Sequence, residues 1–317
     1  MNSTESTLSP ETLKEEIARL KKEKNALIMA HYYQRDEIQE IADFIGDSLA
    51  LARQAAKTDA DVIVMCGVHF MGETAKILCP GKTVIVPDAA AGCSLADSCN
   101  PEEFAKFVEE HPGYTVVSYV NTSAAVKSHT DIVVTSGNAR KIIEMLPEDE
   151  KIIFGPDHNL GEYINSVTGR NMLLWNGACH VHDRFSLEKI AEMKRQHPQA
   201  KILVHPECRR PLQLIADKVG STAALLEFAQ KDDTPEYIVV TESGILFEMR
   251  KKCPQKTFLP APAEDAECQC NECDYMKMNT LKKVYEALRD GKPEITVDAD
   301  VAEKALRPIV RMLEMSE

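Results

Sequence analysis

The chain has 317 residues, 44% of them hydrophobic and 27% charged, with a formal net charge of −13. That composition suits a globular protein with sizeable cores; it excludes a disordered chain and a broad nucleic-acid surface, because phosphate binding needs a basic face. Apolar runs such as the one from Asp61 to Cys66 are strand-sized, far short of the roughly 20 residues that span a bilayer, so no membrane segment is expected.

Residues 10–24 read as a helix with Leu13, Ile17 and Leu20 on one face. A strand from Ala26 to Ala30 runs into His31-Tyr-Tyr-Gln34, followed by a helix from Ile41 to Ala56 and a strand from Val62 to Met65 ending at Cys66-Gly67. A helix from Glu73 to Leu78, a strand from Thr83 to Asp88 and a loop with Ala91-Gly-Cys93 complete the first passage. Such alternation predicts a parallel sheet. The order returns with strands at 116–122, 132–137 and 151–157 before the loop Gly177-Ala-Cys179, and again at 201–208, 237–244 and 256–260 before the loop holding Cys273. Interior spacings differ: His31 to Gly67 covers 36 residues, whereas Tyr119 to Gly137 covers 18. Two helical stretches near 281–288 and 301–312 are expected to pack back onto the first unit. The expected fold is α/β, with three similar α/β/α sandwich domains holding parallel sheets in pseudo-threefold symmetry. Their expected bounds are 1–95 (with 274–317), 96–180 and 181–273.

The segment Met1–Ser9 has no signal-peptide pattern, so a cytoplasmic location is expected and the ten cysteines are read as thiols or ligands rather than disulfides. Cys93, Cys179 and Cys273 close the three passages at separations of 86 and 94 residues (179 − 93 and 273 − 179). Equivalent loops meeting at a threefold axis would bring one thiolate each to a shared metal centre. Three ligands leave a tetrahedral centre with one open position, which points to chemistry rather than a structural clip. Cys66, Cys79, Cys208 and Cys253 read as buried structural residues, and Cys99 as incidental. The run Cys268-Gln-Cys-Asn-Glu-Cys273 suits zinc, an iron–sulfur centre or a redox pair. Zinc would recruit Cys179 with His180 and His182; three distant thiolates suit an iron–sulfur cubane with one iron free.

His31 and His205 take matching places after the first strand of passages one and three, where passage two has Tyr119. Tyr33 and Glu207 stand beside the two histidines as candidates for moving protons. Ser48, Asn121, Ser136, Ser221 and Thr222 recur at strand ends, where they suit both helix capping and anion binding. Gly81-Lys-Thr83 resembles the end of a phosphate-binding loop, but Lys76 stands where that motif needs glycine, and no Gly-x-Gly-x-x-Gly occurs.

Taken together, His31-Tyr-Tyr-Gln34, Gly46-Asp-Ser48, Pro156-Asp-His-Asn-Leu-Gly161, Gly177-Ala-Cys-His-Val-His182, His205-Pro-Glu-Cys208 and Cys273-Asp-Tyr-Met-Lys-Met-Asn279 resemble the quinolinate synthase family of bacterial NAD biosynthesis, over about residues 20 to 310. The resemblance implies three domains around an oxygen-sensitive 4Fe-4S cluster held by Cys93, Cys179 and Cys273. It implies condensation of iminoaspartate with dihydroxyacetone phosphate to give quinolinate, phosphate and water, with functional coupling to an aspartate-oxidising enzyme. It also implies substrate contacts at His31, Tyr33, Ser48, Tyr119, Asn121, Ser136, His205, Glu207, Ser221 and Thr222, with His31, Tyr33, His205 and Glu207 as the catalytic group. One departure concerns Cys268-Gln-Cys270, where some members have two residues between the cysteines; that puts any disulfide switch there in doubt. Outside the resemblance, a zinc enzyme and a non-catalytic iron–sulfur sensor remain open.

Overall fold

The computed structural model describes residues 8–264 and 271–317, so Cys268 and Cys270 lie outside the described residues. Three parallel four-stranded sheets alternate with helices. The first holds β1 (Ala26–His31), β2 (Phe44–Gly46), β3 (Val62–Cys66) and β4 (Thr83–Ile85), in the order β2-β1-β3-β4. The second holds β5 (Thr115–Tyr119), β6 (Ile132–Val134), β7 (Ile152–Gly155) and β8 (Leu173–Leu174), in the order β6-β5-β7-β8. The third holds β9 (Lys201–Val204), β10 (Lys218–Val219), β11 (Glu236–Val240) and β12 (Thr257–Pro260), in the order β10-β9-β11-β12. All three follow one topology. The chain leaves the first strand for one edge and returns to the opposite side of it, so the loops after the first and third strands diverge. Such a switch point opens a crevice at the carboxyl ends of the strands.

Local chemistry explains the elements. Helices cover both faces of each sheet, which is why the strands are near-continuous apolar runs; Ile63, Val64, Val117, Leu203 and Ile238 are wholly buried. The first helix, Pro10–Glu23, starts where Ser9 Oγ accepts the Thr12 N–H at 3.2 Å. It buries Leu13, Ile17 and Leu20 as its periodicity predicts, each stabilising by roughly 1.5–3 kcal/mol.

The expected helix from Ile41 to Ala56 is instead two helices, Asp36–Ile41 and Ser48–Lys57, separated by β2. Edge strands of two or three residues are too short to show a period, so β2, β8 and β10 escape sequence reading while β6 passes for a central strand. With strands correctly matched, the unequal spacing disappears. His31 to Gly67, Tyr119 to Gly155 and His205 to Thr241 each span 36 residues (67 − 31, 155 − 119, 241 − 205).

A further regularity enforces that register. Asp43, Asp131 and Asp217 each precede an edge strand, and each carboxylate accepts the backbone N–H of a residue 15 positions earlier: Ile28 at 2.9 Å, Val116 at 2.9 Å and Ile202 at 2.8 Å. Their own N–H groups donate back to the same residues' carbonyls. The carboxylate thus stands in for a strand partner where the ladder has not yet begun.

The C-terminal stretch rests on more than the first unit. Helix Leu281–Asp290 packs on helix Pro10–Glu23, whereas helix Ala299–Met315 lies against helices His69–Leu78 and Ala124–Lys127 and strand β6. Ser316 ties the two units together, its Oγ accepting from Asn138 Nδ2 at 2.8 Å and its carbonyl from Arg53 at 2.7 Å. No helix among the described residues is long and apolar enough to cross a membrane.

Candidate active site

The switch points of the three sheets face one another. His31, Tyr119 and His205 stand at the ends of β1, β5 and β9; two residues on in each unit come Tyr33, Asn121 and Glu207, and 17 residues on (48 − 31, 136 − 119, 222 − 205) come Ser48, Ser136 and Thr222. All of these line one cavity together with Cys93, Cys179 and Cys273. Ser221 differs: it does not line the cavity, and its Oγ caps helix Thr222–Lys231 by accepting the Ala224 N–H at 3.3 Å. Ser48 and Thr222 are the first residues of their helices, so two helix amino termini stand at the cavity wall.

The two matching histidines are fixed in the same way. His31 Nδ1 accepts the Tyr33 N–H at 3.2 Å, and His205 Nδ1 accepts the Glu207 N–H at 3.4 Å. Each neutral ring therefore carries its proton on Nε2, and that of His205 meets Ser136 Oγ at 3.2 Å. Burial pushes both rings down to about 3, so they work as neutral donors near pH 7. Asn121 Oδ1 is buried and has no hydrogen-bond partner among the described residues, leaving an acceptor free for a ligand.

A chain of hydrogen bonds joins the two tyrosines. Tyr33 OH lies 2.7 Å from Thr222 Oγ1 and 2.7 Å from Thr241 Oγ1; Thr241 Oγ1 lies 2.9 Å from His182 Nε2. His182 Nδ1 lies 2.8 Å from Glu207 Oε2, and Tyr119 OH donates to Glu207 Oε1. One proton arrangement satisfies every group. His182 donates from Nδ1 to the carboxylate, so its Nε2 accepts from Thr241, which accepts from Tyr33, which accepts from Thr222. Burial pushes the Glu207 carboxyl up, but the His182 and His205 rings, with hydrogen bonds from His182 and Tyr119, outweigh it and hold that carboxyl below the usual range. Burial and the Glu207 charge keep both phenols protonated, raised well above 10.

Thr241 is the member that sequence reading missed. Its signal is positional: it occupies the place of Gly67 and Gly155, the only one of the three with a hydroxyl. His182 entered the sequence reading only as a possible zinc ligand. Cys179, His182 and Glu207 do bring ligand atoms within 4.8 Å of one another, whereas His180 turns instead to Ser94 Oγ at 2.5 Å.

The cysteines divide by burial. Cys66, Cys79, Cys99, Cys208 and Cys253 are buried, while Cys93, Cys179 and Cys273 are half-buried and face the cavity; all eight are free thiols. The three cavity thiols share their surroundings. Backbone N–H groups two or three residues on point at each sulfur: Leu95 and Ala96 at Cys93, His182 at Cys179, Tyr275 and Met276 at Cys273. Burial pushes Cys93 up to about 12, Cys273 to about 11 and Cys179 well above its ordinary value, and proximity of the sulfurs to one another adds to each of Cys93 and Cys179. The loops are anchored alike, with the N–H of His69, His158 and Ser243 donating to the carbonyl two residues before each cysteine, at 2.8, 2.8 and 3.2 Å. Carboxylates hold two of the cysteine N–H groups: Asp157 takes that of Cys179 at 3.3 Å and Glu242 that of Cys273 at 3.1 Å. Glu242 also pairs with buried Lys277 at 2.9 Å, and Lys277 donates to Tyr33 O at 2.8 Å.

Three equivalent thiols thus share one cavity with the hydrogen-bonded chain from Tyr33 to Glu207. The family model for quinolinate synthetase A protein matches residues 15–314. The chain belongs to the quinolinate synthase family. A quinolinate synthase of Microcystis aeruginosa is 55% identical over 307 residues, covering 97% of this chain and 96% of that protein. One of Trichormus variabilis is 56% identical over 297 residues (94% of this chain, 91% of that protein), and one of Chloroherpeton thalassium is 52% identical over 310 residues (98% and 96%). The family is one of enzymes.

Proposed function

We propose that the chain condenses iminoaspartate with dihydroxyacetone phosphate to form quinolinate, releasing phosphate and two waters, in NAD biosynthesis in the cytoplasm. Near-full-length identity above 50% to three quinolinate synthases supports the reaction. The observation that carries the mechanism is the cavity itself, where three equivalent thiols face the hydrogen-bonded chain from Tyr33 to Glu207.

The donor set fits a 4Fe-4S cluster. Three half-buried thiols that resist ionising alone, each with backbone N–H groups aimed at its sulfur, suit thiolates bound to a cation, and no fourth cysteine among the described residues lines the cavity. Cys93, Cys179 and Cys273 would hold the cluster, which when bound supplies Lewis acidity at its open iron for removal of water without net redox change. The trio Cys179, His182 and Glu207 offers zinc only one thiol, and the 2.8 Å contact between His182 and Glu207 is already a hydrogen bond.

The remaining chemistry belongs to side chains. Ser48, Ser136 and Thr222, with helix amino termini at Ser48 and Thr222, bind carboxylate and phosphate oxygens; neutral His31 and His205 donate from Nε2 to carbonyl oxygens. Asn121 Oδ1 accepts from a substrate N–H or O–H. Glu207 takes up a proton at its carboxylate, and Tyr33 delivers one from its phenol to a departing hydroxyl. Returning a proton to the phenol reverses each hydrogen bond of the resting chain: with His182 in its Nε2–H form, the protonated Glu207 gives its proton to Nδ1 as Nε2 gives one to Thr241 and Thr241 gives one to Tyr33.

Anaerobic purification with iron and sulfide counting, followed by a quinolinate assay on the two substrates, tests the proposal. A brown protein with about four irons that makes quinolinate is expected; one with the irons but no quinolinate would overturn the reaction, and a colourless zinc protein would overturn the cofactor.

A further inference from the structure

Eight residues after His31, Tyr119 and His205 stand Gln39, Lys127 and Gln213 (39 − 31, 127 − 119, 213 − 205), all buried and none lining the cavity. Each reaches back to the turn that carries the second ring of cavity residues. Gln39 Nε2 donates to Tyr32 O at 3.1 Å and Gln34 O at 2.9 Å, the two carbonyls flanking Tyr33. Gln213 Nε2 donates to Pro206 O at 2.9 Å and Cys208 O at 2.7 Å, flanking Glu207. Lys127 Nζ donates to Val120 O at 2.8 Å and to Thr122 O, flanking Asn121.

Each side chain also reaches a neighbouring unit, always near the start of the helix that follows the third strand. Gln39 of the first unit donates to Gly244 O of the third at 2.9 Å; Gln213 of the third lies 3.4 Å from Asn159 O of the second. Lys127 of the second lies over the Phe70 ring of the first, 5.5 Å from its centroid. The sense is cyclic: first to third, third to second, second to first. It also accounts for the one difference in residue type. The first unit offers Lys127 an aromatic face rather than a carbonyl, and an ammonium binds such a face where an amide gains little.

We propose that Gln39, Lys127 and Gln213 form a cyclic set of positioning residues that aims Tyr33, Asn121 and Glu207 at the reacting atoms and couples each turn to the next unit. This rests on the catalytic reading of those three residues above. Turns without regular ladders otherwise hold their carbonyls loosely, and small misplacements of reacting groups cost large factors in rate.

Hydrogen exchange of the holoenzyme provides the test, because each turn has an internal amide that reports on it: Gln34 N donates to His31 O, Thr122 N to Val120 O and Cys208 N to His205 O. Lys127→Met removes the donors. It should speed exchange about tenfold or more in residues 119–123 and 69–72 while leaving 205–209 unchanged, and lower kcat by about 10- to 100-fold with little change in KM. Lys127→Gln, which installs the side chain used by the other two units, should restore slow exchange in 119–123 and most of kcat. Gln213→Met should act on 205–209 and 158–161 but spare 31–35, and Gln213→Lys, whose three N–H donors match the three carbonyls, should preserve the turn. The two pairs are independent, so the test stands if either Met variant fails to fold. Equal acceleration in all three turns, or unaltered exchange and kcat in the Met variants, would overturn the proposal. If the wild-type chain forms no quinolinate yet the directional exchange pattern appears, the positioning ring stands and the reaction assignment falls.

Discussion

Replacing Thr241 by valine isolates the proposed proton relay, because Thr241 reaches the cavity only through other side chains. Its hydroxyl lies between Tyr33 OH at 2.7 Å and His182 Nε2 at 2.9 Å, and it does not line the cavity. Valine keeps the shape and removes the oxygen. His182 Nε2 then becomes a buried acceptor without a donor, which costs about 1–3 kcal/mol of stability, while Tyr33 retains Thr222 at 2.7 Å. The larger effect falls on turnover. A positioned acid or base contributes about 10²–10⁴ in rate, so kcat for quinolinate should fall by roughly that factor with KM nearly constant, and Thr241→Ser should stay close to wild type. Steady-state assays under anaerobic conditions, with iron content measured on the same samples, make the comparison. A Thr241→Val enzyme with full iron content and a kcat within about threefold of wild type would refute proton passage along this chain.

The buried ammonium of Lys127 gives a pH prediction. Burial pushes its pKa from 10.5 down to about 8, so the folded state holds fewer protons than the unfolded state between those values and stability rises with pH across that window. Relative to Lys127→Met, wild type should gain roughly 3 kcal/mol (10.5 − 8, at ~1.36 kcal/mol per pH unit) in denaturant titrations from pH 8 to 10.5; a constant difference would contradict it. Alanine at Cys93, Cys179 or Cys273 should abolish iron binding, whereas Cys253→Ala should keep it, as read by iron content and visible absorbance. Gly177 has no room for a side chain, since a Cβ there would sit 2.7 Å from Pro156 O. Gly177→Ala should therefore displace the Cys179 loop and lower iron occupancy more than it lowers the thermal midpoint.

Much of the fold was legible because strands buried on both faces write themselves as unbroken apolar runs, as at Val62 to Met65. The three loops with Cys93, Cys179 and Cys273 were legible from their near-equal separations of 86 and 94 residues, although the short strand Leu173–Leu174 before Cys179 was not. What escaped notice was short or encoded by position. Phe44–Gly46 and Lys218–Val219 carry too few residues for a period, and missing them shifted the comparison of units by one strand. The aspartates at 43, 131 and 217 look like ordinary loop residues until their shared contact is seen. Thr241 has no motif of its own. Its role depends on two partners brought together from residues 33 and 182, a proximity that no local pattern records. Lys127 hid in another way, because a lysine suggests surface, whereas here two carbonyls and an aromatic ring replace its water.

The distribution of the three cavity thiols along the chain sets an order in time. Cys93 and Cys273 are 180 residues apart (273 − 93), so at roughly 5–20 residues per second a ribosome takes about 9–36 s to deliver the third after the first. During that interval the first unit can fold around its own sheet, but its thiol faces open solvent rather than two counterparts. Whatever loads the proposed centre must therefore act on an almost finished protein.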